Sequence, residues 1–213
     1  MTAVIRQAAA MLLCYPDAAF FERLPLVEAA AAELEPGDAR EALTAFCSYA
    51  RAQTALDLGR EYVRTFDLKR RRALHLTYYT DGDTRRRGHA LARIKEIYGA
   101  CGWRLDAAEL PDHLAVVLEF AARGDVEAGG RLLVRFQPGI ELLRAALHEG
   151  ASAYAAVLDT VAATLPPPDE ARREAARLAA AGPPAEDVGL DPYGAGASGA
   201  VALGMPAKIG AAR

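Results

Sequence analysis

An all-α fold is predicted for this chain, a compact single-domain helical bundle with a flexible C-terminal tail. Three observations predict it. Alanine, the strongest helix former, fills 48 of 213 positions. The β-branched and aromatic residues that favour strands are sparse. Apolar residues recur three and four apart between proline and glycine punctuation, which is the helical period. Hydrophobic residues make up 52% and charged residues 25%, so a packed core under a solvated surface is expected rather than disorder.

The elements follow in order. An apolar helix spans Ala3 to Cys14, and Pro16 with Asp17 turns the chain into a fresh helix start. Residues 18–34 continue helical, with Pro25 marking a break or a new first turn. After Pro36-Gly37, Asp38 and Glu41 have capping-box spacing, and Leu43, Phe46 and Ala50 follow at helical intervals. A helix starting near Thr54 carries Leu58, Tyr62 and Phe66 on one face. Leu74 to Tyr79 is a short apolar piece. Asp81-Gly82-Asp83 is a turn, and Asp83 or Thr84 caps a helix that Gly102 ends.

Pro111 suits a first helical position, with Asp112 in the first turn and Leu114, Val117, Leu118 and Ala121 as the buried stripe. Gly124-Asp125 and Pro138-Gly139 mark further breaks. Ile140 to Leu165 is the longest expected helix, and Pro166-Pro167-Pro168 stops it. Residues 169–181 read as an isolated polar-alanine helix. The last 32 residues hold 7 Gly and 4 Pro, a tail without its own core. The division is therefore a helical domain over 1–165 and a mostly flexible segment over 166–213 with one short helix.

Net charge is −3, which does not suit a chain that coats nucleic acid. Three separated cysteines, Cys14, Cys47 and Cys101, give neither a disulfide framework nor a zinc site, and a reducing cytoplasm suits them. No stretch reads as a secretory leader or a membrane span.

The search for chemistry is negative. There is no phosphate loop, no GxSxG and no HExxH, and His75, His89, His113 and His148 are scattered. Asp112 and His113 are adjacent, so on a helix they point about 100° apart and form no preset acid–base couple. Residues 60–95 carry 11 Arg and Lys against 4 Asp and Glu, leaving −10 for the rest. Such a stretch is either a solvated face or an attractor for phosphate or nucleic acid. The stripe Leu58, Tyr62, Phe66 fits both core packing and a groove for a partner helix.

Five pieces come in one order: Leu12-Leu13-Cys14-Tyr15-Pro16-Asp17; Tyr62-Val63-Arg64-Thr65-Phe66-Asp67; Leu76-Thr77-Tyr78 leading to Gly82-Asp83-Thr84-Arg85-Arg86-Arg87-Gly88; Glu109-Leu110-Pro111-Asp112-His113-Leu114; and Leu118-Glu119-Phe120. The series, over about residues 10–160, resembles the NarJ-type assembly chaperones of respiratory nitrate reductase, within the redox-enzyme maturation chaperones. The resemblance implies an all-helical, non-catalytic, cytoplasmic chaperone. It implies as partner the apo catalytic (alpha) subunit of nitrate reductase, held in part by its leader-like N-terminal segment until iron–sulfur clusters and molybdenum cofactor are inserted. Molybdenum cofactor biosynthesis proteins are further implied partners. No cofactor is expected to stay bound to the chain itself, and neither nucleic acid nor membrane insertion is expected.

Carried over residue by residue, the family's motifs fall on Tyr62, Phe66 and Asp67, and on Pro111, Asp112 and His113, with Glu119 and Phe120 beyond. The resemblance implies that these line or brace the client groove. Tyr62 and Phe66 would supply apolar area, and Asp112 and Glu119 carboxylates for basic client residues. Replacing Tyr62 or Asp112 is expected to weaken client capture without unfolding the chain. Two other readings stay open, a chaperone of another molybdenum oxidoreductase and a helical nucleic-acid-binding regulator using the 60–95 stretch.

Overall fold

A computed structural model describes residues 1–106, 109–182 and 184. Its elements are α1 (Thr2–Leu12), α2 (Ala18–Ala32), α3 (Asp38–Arg51), α4 (Ala55–Tyr62) with a π turn (Val63–Asp67), a 3₁₀ turn (Arg70–Arg72), α5 (Leu76–Asp81) and α6 (Arg85–Ala100). The second half holds α7 (Leu114–Glu119) with a π turn (Phe120–Gly124), α8 (Val126–Arg135), α9 (Gln137–Glu149), α10 (Tyr154–Ala163) and α11 (Asp169–Ala181). The fold is all-α. The described residues hold no strand, only one antiparallel bridge between His75 and His113. No helix among them is long and apolar enough to cross a membrane. The expected tail beyond residue 184 lies outside the described residues.

Alanine explains the centre of the fold. Ala8, Ala9 and Ala10 are buried on α1, and their small side chains let it pack against α2, α7 with its π turn, and α10. The Arg6 side chain is buried with them. Its guanidinium donates to Oγ1 and the carbonyl of Thr164 at 3.3 and 3.2 Å, at the end of α10 where a cation favours the helix dipole. Burial lowers its pKa. An aromatic cluster of Phe46, Tyr62, Phe66 and Tyr154 sits at the other end of α10.

Several local expectations hold. Asp17 caps α2 by accepting from the Phe20 amide at 2.8 Å, Thr54 caps α4 through the Asp57 amide, and Asp125 caps α8. Others are corrected. Pro25 lies inside an unbroken α2; it is exposed, so the carbonyl that loses its donor can be hydrated. Gly37, not Asp38, precedes α3. Pro138 sits in the first turn of α9, where its missing N–H costs nothing, so that helix starts at Gln137.

The long helix expected over 140–165 is two helices. The chain turns at Gly150 and Ala151, which has φ 47°, and the Ser152 amide closes the turn on the Leu147 carbonyl. Arg72 holds the end of α9 by donating to the Ala146 carbonyl at 3.0 Å. Nor is α11 isolated. It lies on α9, with Arg172 reaching the buried Glu141 carboxylate at 3.2 Å and Gln137 donating to the Pro166 carbonyl.

Gly129 lets α8 pack directly on the backbone of the second π turn. A Cβ there would lie 2.4 Å from Ala121 Cα and 2.8 Å from its amide nitrogen. Alanine is otherwise preferred in a helix by roughly 1 kcal/mol. Here the clash is with backbone and overpacking wins. Gly129→Ala is therefore expected to destabilise the protein by about 2 kcal/mol, read as a lower urea midpoint. An unchanged or raised midpoint would show that α8 can slide off the π turn.

Candidate functional site

The N-terminal helix and the segment after residue 109 enclose an open-sided cleft of about 670 Å³. Gln7, Ala10 and Met11 of α1 form one wall, continued by Cys14 and Tyr15 in the following turn. Glu109, Leu110 and His113 lead into α7, whose Ala115, Val116 and Glu119 form the opposite wall. Tyr62, His75, Arg23 and Arg123 complete the lining.

Two π turns aim the cleft's side chains. Each is one residue wider than an α turn and closes by an i→i+5 bond, Leu68 N to Val63 O at 3.0 Å and Asp125 N to Phe120 O at 3.1 Å. The residue just before each π turn, Tyr62 in one case and Glu119 in the other, lines the cleft. The aromatic residues within the turns, Phe66 and Phe120, point into the core. Phe120 packs against Tyr98 in a tilted pair and Trp103 edge-on, with ring centroids 4.5 and 5.9 Å away.

The eight residues carried over from the motifs thus separate. Tyr62, His113 and Glu119 meet at the cleft. Tyr62 is also buried, with its hydroxyl donating to the Leu13 carbonyl at 3.1 Å, which fixes its ring beneath Tyr15. Burial raises its pKa, so it remains a phenol. Phe66 and Phe120 brace the walls from behind, and Asp67 is exposed at the end of the first π turn. Pro111 is buried outside any helix, and its carbonyl accepts from Tyr98 at 2.8 Å. The helix expected to start there starts at Leu114, because His113 is its cap.

Asp112 departs most from expectation. Its exposure is 0%. One carboxylate oxygen accepts from the Thr77 amide at 3.2 Å and hydroxyl at 2.5 Å, the other lies 3.3 Å from His75 Nδ1, and Arg87 is 3.8 Å away. Burial alone would raise its pKa, but the hydrogen bonds from His75 and Thr77 and the Arg87 charge outweigh it and hold the group below the usual carboxylate range. Such a carboxylate offers nothing to a client. It joins the 75–77 segment to the 112–114 segment, beside the paired amides of Leu76 and Leu114. The carboxylates that line the cleft are Glu109 and Glu119, the latter paired with Arg123 at 2.9 Å.

His113 Nδ1 accepts from the Ala115 amide at 3.3 Å, so it must be unprotonated to cap α7. Burial, the neighbouring His75 and the opposing pull of Asp112 leave its pKa at about 4. At neutral pH the ring is uncharged. The cleft's fixed charges then balance, Arg23 and Arg123 against Glu109 and Glu119.

Residues of the first helix and turn, above all Tyr15 at 52% exposure, went unassigned in the sequence. Tyr15 belongs to one of the motif pieces, which was the available signal. The cationic stretch 60–95 does not form one face. Arg72 caps α9, Arg71 meets Glu149 at 3.5 Å, Arg60 meets Asp57, and Arg87 is committed to Thr77 and Asp83. Among the described residues no group of three His, Cys, Asp or Glu is placed to hold a metal ion.

Residues 32–159 match the family described as nitrate reductase delta subunit. The probable nitrate reductase molybdenum cofactor assembly chaperone NarJ of Bacillus subtilis is 32% identical over 158 residues, 74% of this chain and 86% of that protein. The NarJ chaperone of Escherichia coli is 33% identical over 150 residues, 70% of this chain and 64% of the relative. The nitrate reductase-like protein NarX of Mycobacterium tuberculosis is 39% identical over 161 residues, and there the match spans 76% of this chain but only 24% of the relative. With the family match covering more than half of the sequence and the all-helical fold in agreement, the chain belongs to the nitrate reductase delta subunit family, the family of the NarJ chaperones.

Proposed function

We propose that this chain is a cytoplasmic assembly chaperone for a respiratory nitrate reductase. It holds the apo catalytic subunit, by its N-terminal segment among other contacts, until the iron–sulfur and molybdenum cofactors are in place. The chain acts by binding and not by turnover, and the cofactors pass to the client without staying on it. Family membership supports the client class. The single observation that carries the mechanism is the open-sided cleft between α1 and α7, with an exposed aromatic, Tyr15, at its mouth.

The chemistry of the cleft suits an amphipathic helical segment. Met11, Tyr15, Leu110 and Val116 offer apolar contact, and burying one large apolar side chain yields roughly 1.5–3 kcal/mol. Glu119 and Glu109 stand where basic residues of a leader-like segment can pair. Release follows from mass action, because a client that folds around its cofactors withdraws the segment.

Calorimetric titration with a synthetic peptide of the catalytic subunit's N-terminal segment, against a scrambled control, tests the reading. Saturable binding of the true peptide alone is expected. Tyr15→Ala is expected to weaken it about tenfold with an unchanged urea midpoint, since that side chain is half exposed. Because basic client residues pair with Glu109 and Glu119 in an open-sided cleft, affinity should fall modestly between low and moderate salt. Absence of binding to the folded wild type would refute capture through this cleft. Equal affinity for Tyr15→Ala would remove Tyr15 from the contact.

A further inference from the structure

The outer face of α6 has no part in the cleft, and the sequence beyond residue 184 matches it in charge. α6 buries only Ile94 and Tyr98 of its 16 residues. Arg86, His89 and Arg93, spaced three and four apart, are exposed along one side of it. Asp83 is paired with Arg87, and Glu96 is the one acid within α6 itself. In the C-terminal stretch, Glu186, Asp187 and Asp191 stand with no Lys or Arg between Arg177 and Lys208.

Pro184 lies against Gly82, three residues before α6 begins. Its carbonyl oxygen would be 2.0 Å from a Cβ on Gly82, which also has φ 58°, so only glycine allows this approach. From Pro184 the chain needs three residues to reach Asp187, at most about 10 Å of extended backbone. Arg86 is the second residue of α6, four positions beyond Gly82. Asp187 to Asp191 spans up to roughly 14 Å when extended, and Arg86 to Arg93 is about 10.5 Å along a helix. The two charge patterns are commensurate.

We propose that residues 186–191 of this chain dock on the Arg86–His89–Arg93 side of α6, as an intramolecular partner held by charge. The docked segment covers the helix that is least packed into the bundle and lowers the cationic potential of that surface. Gly82 is the anchor that delivers the segment there.

Zero-length carbodiimide cross-linking of the full chain carrying Arg86→Lys and Arg93→Lys tests this, since both substitutions keep the charge and supply an amine. Mass spectrometry of the monomer fraction is expected to show a peptide joining position 86 or 93 to residues 186–191. Its yield should fall severalfold in 0.5 M sodium chloride and vanish in the same chain carrying E186K, D187K and D191K, with folding checked by circular dichroism. The proposal is overturned if the amines couple only to carboxylates elsewhere, if the yield ignores salt, or if the link joins two chains.

Discussion

Asp112→Ala is expected to lower the stability of the protein by about 3 kcal/mol, the range for removing one partner from a buried charged network. The carboxylate is fully buried and satisfies the Thr77 amide and hydroxyl, both also buried, while His75 and Arg87 converge on it. Deleting it strands those donors in a dry site. Asp112→Asn keeps one acceptor and is expected to lose about half as much. Urea unfolding at pH 7.5 checks both, and equal midpoints for wild type and Asp112→Ala would show that the network is dispensable. On the function proposed above, loss of client binding in a destabilised alanine variant would reflect loss of the wall that carries His113, not a missing contact to the client.

Acid is expected to unfold the protein through His113 before the carboxylates respond. Its folded pKa of about 4 lies below the 6.5 of a free histidine. The unfolded chain therefore binds more protons between these values, and stability is complete above pH 6.5 and lost as pH falls toward 4. The full difference corresponds to about 3 kcal/mol. The structural event is the loss of the α7 cap, since a protonated Nδ1 cannot accept from the Ala115 amide. Asp112, with a depressed pKa, adds its own loss only below the pH at which a free aspartate protonates. His113→Asn keeps a capping acceptor without titrating. Its urea midpoint should stay flatter than wild type from pH 7 to 4.5, and parallel curves would show that His113 is not the sensor.

Much of the fold was legible because its signals are local. Asp17, Thr54 and Asp125 cap helices through amides three residues away or fewer, and the sequence shows both partners. Pro25 and Pro138 were misread because proline's effect depends on which carbonyl loses its donor and whether water reaches it. The break at Gly150 and Ala151 was hidden because Arg72, 74 positions earlier, caps α9 through Ala146. The site follows the same division. Tyr62, His113 and Glu119 were readable from motifs, whereas Gln7, Met11 and Tyr15 join them only through the packing of α1 on α7. Adjacent residues also diverge. Asp112 turns inward to Thr77 and His113 outward to the cleft, a choice set by the bridge to residue 75 and not by helical periodicity.

The central position of α1 has a consequence in time. Arg6 finds its acceptors on Thr164, 158 positions later, and the walls of the cleft come from residues on either side of a hundred-residue gap. A chain leaving the ribosome makes α1 first and the end of α10 near the close of the helical region, so its earliest helix waits for most of its neighbours. The helix that forms one wall of the cleft is therefore fully packed only late in synthesis. A nascent copy of this protein cannot complete the packing of α1 until its own synthesis has passed residue 164.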